Sequence, residues 1–160
     1  MYDMVPHTRP LLVSGGAIGE GVEAEIRRLK VLPTEYEGPS TMTFQIVQQA
    51  PGRGIESMWC IVHLPQYVHI DEDYAGKMRL MQILHELYGV QVDESDVERA
   101  LEQNEAIDVA MRDDPDLASV VPHFEARYES RLHNGGRGIA PLPPDVQQFL
   151  RDLDNRHGSD

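Results

Sequence analysis

Scarcities narrow the class of this protein first. One cysteine, Cys60, stands among 160 residues, so no intrachain disulfide can form. Its neighbours Trp59 and Ile61 predict a buried, inert thiol in a reducing compartment. Aromatic residues are only 6% of the chain, and 14 Lys and Arg face 27 acids, for a formal net charge of −13. That balance speaks against a duplex-nucleic-acid binder that works by neutralising phosphates. The longest apolar run, Met58 to Val62, is far short of the roughly 20 residues that a membrane-spanning helix needs. The amino-terminal MYDMVPHTRP has neither the basic start nor the apolar stretch of a secretory signal. We expect a soluble, cytoplasmic protein with no nucleic-acid and no membrane partner.

Conventional chemical signatures are missing too. There is no P-loop, no Gly-x-Gly-x-x-Gly after a strand, no nucleophile elbow and no His-Glu-x-x-His. No catalytic residue and no cofactor is assigned on this basis. The nearest approach to a metal set is His69-Ile70-Asp71-Glu72-Asp73, but its ligands are adjacent rather than spread over a fold, and Asp73 is wanted as a helix cap, so no metal is assigned.

What is present is ordinary globular composition, 41% hydrophobic and 26% charged, on a chain of single-domain length. Charge is uneven: residues 1–80 carry net −3 and residues 81–160 net −10. Ten acids between Asp93 and Asp116 face only Arg99 and Arg112, a solvated helical face or a docking surface for a basic partner.

Periodicity gives two strands and several helices. Leu11 to Ser14 reads as a strand closed by a Gly15-Gly16 turn, and Met58 to His63 as a strand covered on both faces. Because helices lie between them, we expect the two to be neighbours in a mainly parallel sheet. Helical spacing appears over Gly19 to Lys30 and from Met42 to Ala50. It returns after Asp73 as cap, ending at Gly89, and again after Asp93, where Asn104 interrupts the stripe of Val97, Leu101, Ile107 and Met111. A stripe from Leu117 to Leu132 should be kinked or split by Pro122. Asn134 to Pro144 reads as a mobile loop, and Asp145 opens a last helix.

Three blocks now carry a resemblance: Asp3-Met4-Val5-Pro6-His7-Thr8-Arg9-Pro10, Tyr36-Glu37-Gly38-Pro39-Ser40 and Leu64-Pro65-Gln66-Tyr67-Val68. Together with Phe124 to Tyr128 and Phe149-Leu150-Arg151, they resemble in order and spacing the actinobacterial branch of the proteasome assembly chaperone 2 (PAC2) family. The resemblance implies an α/β fold, a phosphorylase- or hydrolase-like three-layer sandwich followed by a helical region. Residues 1–70 would be the later portion of the α/β domain, and 71–160 a helical region packed as one unit with it. Family members usually have well over a hundred residues before the first block, so a fragment, a proteolysed product or a late gene start is the simplest account. Thr41 stands where the family has glycine, and Gln66 where it has histidine.

Two functions follow. The leading one is an interaction or assembly module without catalytic activity, with a protein partner or self-association. The alternative is a small-ligand binder or enzyme whose phosphorylase-like cleft is lined by His7, Arg9, Tyr36 and Glu37. Pro6, Pro10, Gly38, Pro39, Ser40, Pro65 and Tyr67 are expected to be structural, with Gly38 and Pro39 setting a turn and Ser40 or Thr41 capping the next helix. A sheet keeping only its later strands would leave an unpaired edge, so we expect association or aggregation of the chain alone.

Overall fold

In a computed structural model, which describes residues 1–34, 41–68, 70–136 and 141–157, every strand lies before residue 66 and helices fill the remainder. Strand β1 (Tyr2–Asp3) pairs in parallel with β5 (Leu64–Pro65). A second sheet has the order β3-β2-β4, from β2 (Val13–Ile18), β3 (Leu32–Pro33) and β4 (Ser57–Val62). The protein is thus mixed α/β and predominantly helical.

β2 and β4 are neighbours, as the sequence suggests, but they run antiparallel, in the register Val13↔Val62, Gly15↔Cys60 and Ala17↔Met58. Only β3 pairs with β2 in parallel. The expectation of a mainly parallel sheet fails because helix α1 (Glu20–Arg28) crosses over from β2 to β3, not from β2 to β4. The further connection through α2 (Met42–Gln49) brings the chain back in the opposite direction.

The strand also does not stop at Gly15-Gly16. Both glycines lie inside β2, opposite Cys60 and Trp59. A Cβ on Gly15 would sit 2.0 Å from the Trp59 carbonyl oxygen, and one on Gly16 would sit 2.5 Å from the Trp59 ring. These glycines let another strand and its indole approach closely, a role distinct from that of a turn.

Alternation along β4 sorts its side chains onto two faces. Met58, Cys60 and Val62 join a cluster with Val13, Leu29, Val31 and Ile83. Trp59, on the other face, meets Phe44 of α2 edge-on, with centroids 5.6 Å apart. Burial is nevertheless incomplete: from Ser57 to Ile61 every residue is only partly covered, and β4 is an edge strand. The expectation of a strand covered on both faces is therefore corrected, and with it that of a buried thiol. Cys60 is half-buried, and desolvation pushes its pKa up.

Helix starts follow the local code. Thr41, at an ordinary extended φ of −83°, accepts the Phe44 amide and caps α2, so the glycine of the family pattern is not needed there. Asp73 caps α3 (Tyr74–Tyr88) through the Gly76 amide, and Gly89 ends it at φ 68°. Asp93 caps α4 (Glu94–Asp113) and Asp114 caps α5 (Pro115–His133). Pro122 lies inside α5, which the structure keeps as one helix, not two. Helix α6 (Pro144–His157) follows. A helical core of Tyr67, Met111, Val120, Phe124, Val146 and Leu150 unites these helices with the segment after β5.

Candidate functional site

Residues 6 to 11 form a strap laid between the sheet and the helices, and its anchors explain the Pro-His-Thr-Arg-Pro block. Pro6 is fully buried. The Pro10 carbonyl accepts the Tyr128 hydroxyl at 3.0 Å, and the Leu11 carbonyl accepts Arg79 Nε at 3.2 Å. Thr8 donates to Glu125, and Arg9 pairs with Glu125 at 2.9 Å and Glu129 at 3.4 Å. The Thr8 and Arg9 side chains and the Pro10 and Leu11 carbonyls are thus tied to α5 and α3.

His7 carries the most specific arrangement. The Tyr67 hydroxyl accepts the His7 backbone N–H at 2.8 Å and lies 2.7 Å from His7 Nδ1, while Nε2 lies 3.0 Å from Asp108 Oδ1. With the imidazole neutral, the single hydroxyl proton goes to Nδ1, so the ring proton sits on Nε2 and points at Asp108. Tyr67 stacks flat on Phe124, with centroids 5.2 Å apart. Desolvation, the largest cause, raises the tyrosine pKa; the His7 amide opposes it, and the charges of Glu125 and Asp108 reinforce it. The hydroxyl therefore stays protonated and serves as a neutral donor.

His7 and Arg9 border one cleft of about 250 Å³, whose other walls are Leu11 and helices α3 and α4, including Met78, Arg79, Ala100, Leu101 and Asn104. The two residues do share a concavity. Their polar atoms, however, are engaged by Tyr67, Asp108 and the two glutamates. Arg79, which the sequence did not single out, is held instead by two neutral acceptors, the Leu11 carbonyl and Gln82 Oε1. Tyr36, Glu37, Gly38, Pro39 and Ser40 lie outside the described residues, as does His69. Pro65 is buried in β5 opposite Asp3.

A second histidine was also missed. His63 and Ser14 are each 1% exposed. His63 Nδ1 meets Asp3 Oδ2 at 2.6 Å, and Nε2 meets Ser14 Oγ at 2.7 Å. Arg131 Nη1 donates to the same Asp3 oxygen at 2.7 Å, and the Met4 amide donates to Oδ1. Burial pushes the Asp3 pKa up, but the hydrogen bonds from His63, Arg131 and Met4, with the His63 charge, outweigh it and hold the carboxyl well below the usual range. The order Asp, His, Ser imitates a nucleophilic triad, yet the enclosed Ser14 hydroxyl offers no approach to a substrate. The network joins β1, β2, the end of β4 and α5. Its signal in the sequence was only a histidine closing an apolar strand.

The sequence profile of the PAC2 family matches residues 1–111. The chain belongs to the PAC2 family. A search of curated proteins finds no match. Among solved structures, a Corynebacterium glutamicum protein of unknown function aligns with TM-score 0.70 and 22% identity over 83% of this chain and 48% of its own. A PAC2 family protein from Streptomyces avermitilis gives TM-score 0.61, 24% identity, and 78% and 49% coverage. A Mycobacterium tuberculosis proteasome-assembly chaperone homologue gives 0.62, 25%, and 76% and 50%. The chain spans about half the length of these three solved structures.

Proposed function

We propose that this chain is a cytoplasmic protein-interaction module of the assembly type, without a catalytic task of its own. The observation that carries the reading is the free edge of β4, which among the described residues has only β2 as a strand neighbour. Unburied apolar side chains occur on α2, which packs on β4 through Phe44, and in the turn that leads into the strand, with Met42 78%, Ile46 62% and Ile55 56% exposed. An open edge beside apolar surface accepts an extended segment of another polypeptide through main-chain hydrogen bonds, while neighbouring pockets take its side chains. The occupant we propose is a strand from a second copy of the chain. The likeness to a proteasome-assembly chaperone homologue supports the assembly-type reading. We also propose that residues 1–70 are the later portion of a three-layer sandwich and that residues 71–160 pack on it as one helical unit.

Sedimentation velocity over a hundredfold range of concentration tests the reading. The expected result is concentration-dependent association that the double variant Met42→Lys/Ile46→Lys abolishes, since both positions are exposed and neither change touches the core. A cooperatively melting monomer at every concentration would overturn it. The alternative, a small-ligand binder, is favoured by the cleft under the strap.

A further inference from the structure

We infer that the cleft between the strap, α3 and α4 is a binding site for a small monocarboxylate with a short apolar chain, anchored by Arg79. This inference is independent of the proposed self-association, because the cleft and the β4 edge are lined by different residues.

The anchor is argued from charge. Arg9, Arg28 and Arg131 each have a carboxylate within 4 Å, as befits a chain with 27 acids and 14 Lys and Arg. Arg79 has none among the described residues, a state it shares with Arg99 and Arg112, but unlike them it lines the cleft, where the other arginine, Arg9, is paired with two glutamates. Its guanidinium is fixed in place by the Leu11 carbonyl and Gln82, both neutral, at 3.2 Å each. A planar fork held by neutral acceptors keeps its charge for an incoming anion and needs little ordering to bind a carboxylate with two parallel hydrogen bonds.

The rest of the cleft sets the remainder of the ligand. Met78 and Ala100 are buried at its floor, whereas Val97 and Leu101 of the α4 stripe find no core and stand 38% and 64% exposed along its wall. Asn104, the polar residue that interrupts that stripe, also faces the cleft and adds an amide. A hydrophobic stripe with one amide beside a fixed cation suits an amphiphile. The volume of about 250 Å³ lies below the roughly 300–1,000 Å³ of drug-sized pockets, so the chain should be short, on the order of six carbons. Asp108, Glu125 and Glu129 stand around the rim of the strap. Repulsion from them grows with the charge of the ligand, so a single carboxylate is favoured over a dianion such as phosphate or a dicarboxylate.

The test is a two-dimensional NMR titration of the 160-residue chain with hexanoate, using hexanol as the neutral comparison. Hexanoate should shift the Arg79 Nε–H, the Ala100 amide and the Asn104 side-chain amide, and bind at least tenfold tighter than hexanol. Arg79→Gln should erase that preference while keeping the weak hexanol binding. Since Arg79 also holds the Leu11 carbonyl, Leu101→Asp provides a second variant at an exposed position. It should weaken hexanoate at least fivefold with Tm unchanged. Equal affinity for hexanoate and hexanol, a preference that survives Arg79→Gln, or hexanoate binding undiminished in Leu101→Asp would each overturn the assignment.

Discussion

Two chains of carboxylate, imidazole and hydroxyl occur in this protein in the same order, with the carboxylate on Nδ1 of His63 but on Nε2 of His7, and in different surroundings. In one, Asp3, His63 and Ser14 lie at the junction of β1, β2 and β4, with His63 and Ser14 only 1% exposed and the Asp3 side chain 20%. In the other, His7 of the strap joins Asp108 and Tyr67, and the histidine side chain is covered but the Asp108 side chain is 54% exposed. Enclosure decides what such a chain contributes. In a dry site each member depends on the others, because an unpaired polar group there finds no water to replace its partner. At the cleft, solvent stands in for a lost partner, so the arrangement positions a ring without being required for folding.

The largest expected difference comes from breaking the enclosed chain. Asp3→Ala leaves the buried Arg131 and His63 without their shared acceptor; removing one side of a buried ion pair costs about 3–5 kcal/mol, and the 20% exposure of the Asp3 side chain places this loss at the lower end. Chemical denaturation should show a loss of that size, and a change under about 1 kcal/mol would mean that water reaches the site. The same residue fixes the sign of the acid response. Its pKa is depressed in the folded state, so the stabilisation is complete above the unfolded-state value of about 4 and drains away as pH falls below it. Tm should therefore decline below about pH 5 in the natural protein, and Asp3→Asn should start lower and decline less steeply. Parallel acid limbs for the two proteins would assign the acid sensitivity elsewhere.

Next in size is the glycine on which the junction of β2 and β4 depends. Gly15→Ala drives a methyl group into the Trp59 carbonyl, a backbone atom that cannot swing away. Overpacking of this kind costs about 1–3 kcal/mol or more. Gly16→Ala meets the ring of Trp59 instead, which can rotate, so its cost should be smaller. Thermal melts of the two variants rank them, and an equal loss would show that β2 shifts as a unit.

Tyr67→Phe sits between the two environments. It deletes the hydroxyl that serves both the His7 amide and Nδ1, while the stack on Phe124 remains. Leaving one buried amide unpaired costs about 1–3 kcal/mol, and the variant should lie between Asp3→Ala and any change at Asp108.

The sequence exposed those parts whose causes are local. Asp73, Asp93 and Thr41 cap the helices they precede because a side-chain oxygen two or three residues from a free amide needs no help from the rest of the chain. Gly89 ends α3 through an equally local cause, a positive φ of 68° that a residue without Cβ adopts freely. The strand pairing was not readable in this way. Gly15-Gly16 carries the usual signature of a turn, and only Trp59, some 43 positions on, reveals why glycine is needed in a strand. His63 finds its partners 60 and 49 positions away, and His7 finds Asp108 101 positions away. Nothing in a local pattern distinguishes such a histidine from one at the surface. His7 and Arg9 drew attention through the family block to which they belong, but Arg79 was hidden as one charge among many on a periodic helix.

The smallest effect is the sharpest test of the comparison. Asp108 completes the second chain with a 3.0 Å contact to His7 Nε2, matching in connectivity what Asp3 gives His63. If contact with the imidazole alone determined the contribution, and the further bonds of Asp3 to Arg131 and Met4 added nothing, Asp108→Ala would cost as much as Asp3→Ala. If enclosure determines it, water replaces the carboxylate at Nε2 and the loss stays under about 1 kcal/mol, as for exposed ion pairs. Denaturant midpoints of the two variants, measured side by side at pH 7, give the ratio directly. We expect Asp3→Ala to exceed Asp108→Ala at least threefold, and high salt to shrink the Asp108 effect further while leaving that of Asp3 nearly unchanged, because mobile ions screen an exposed pair far more than a buried one.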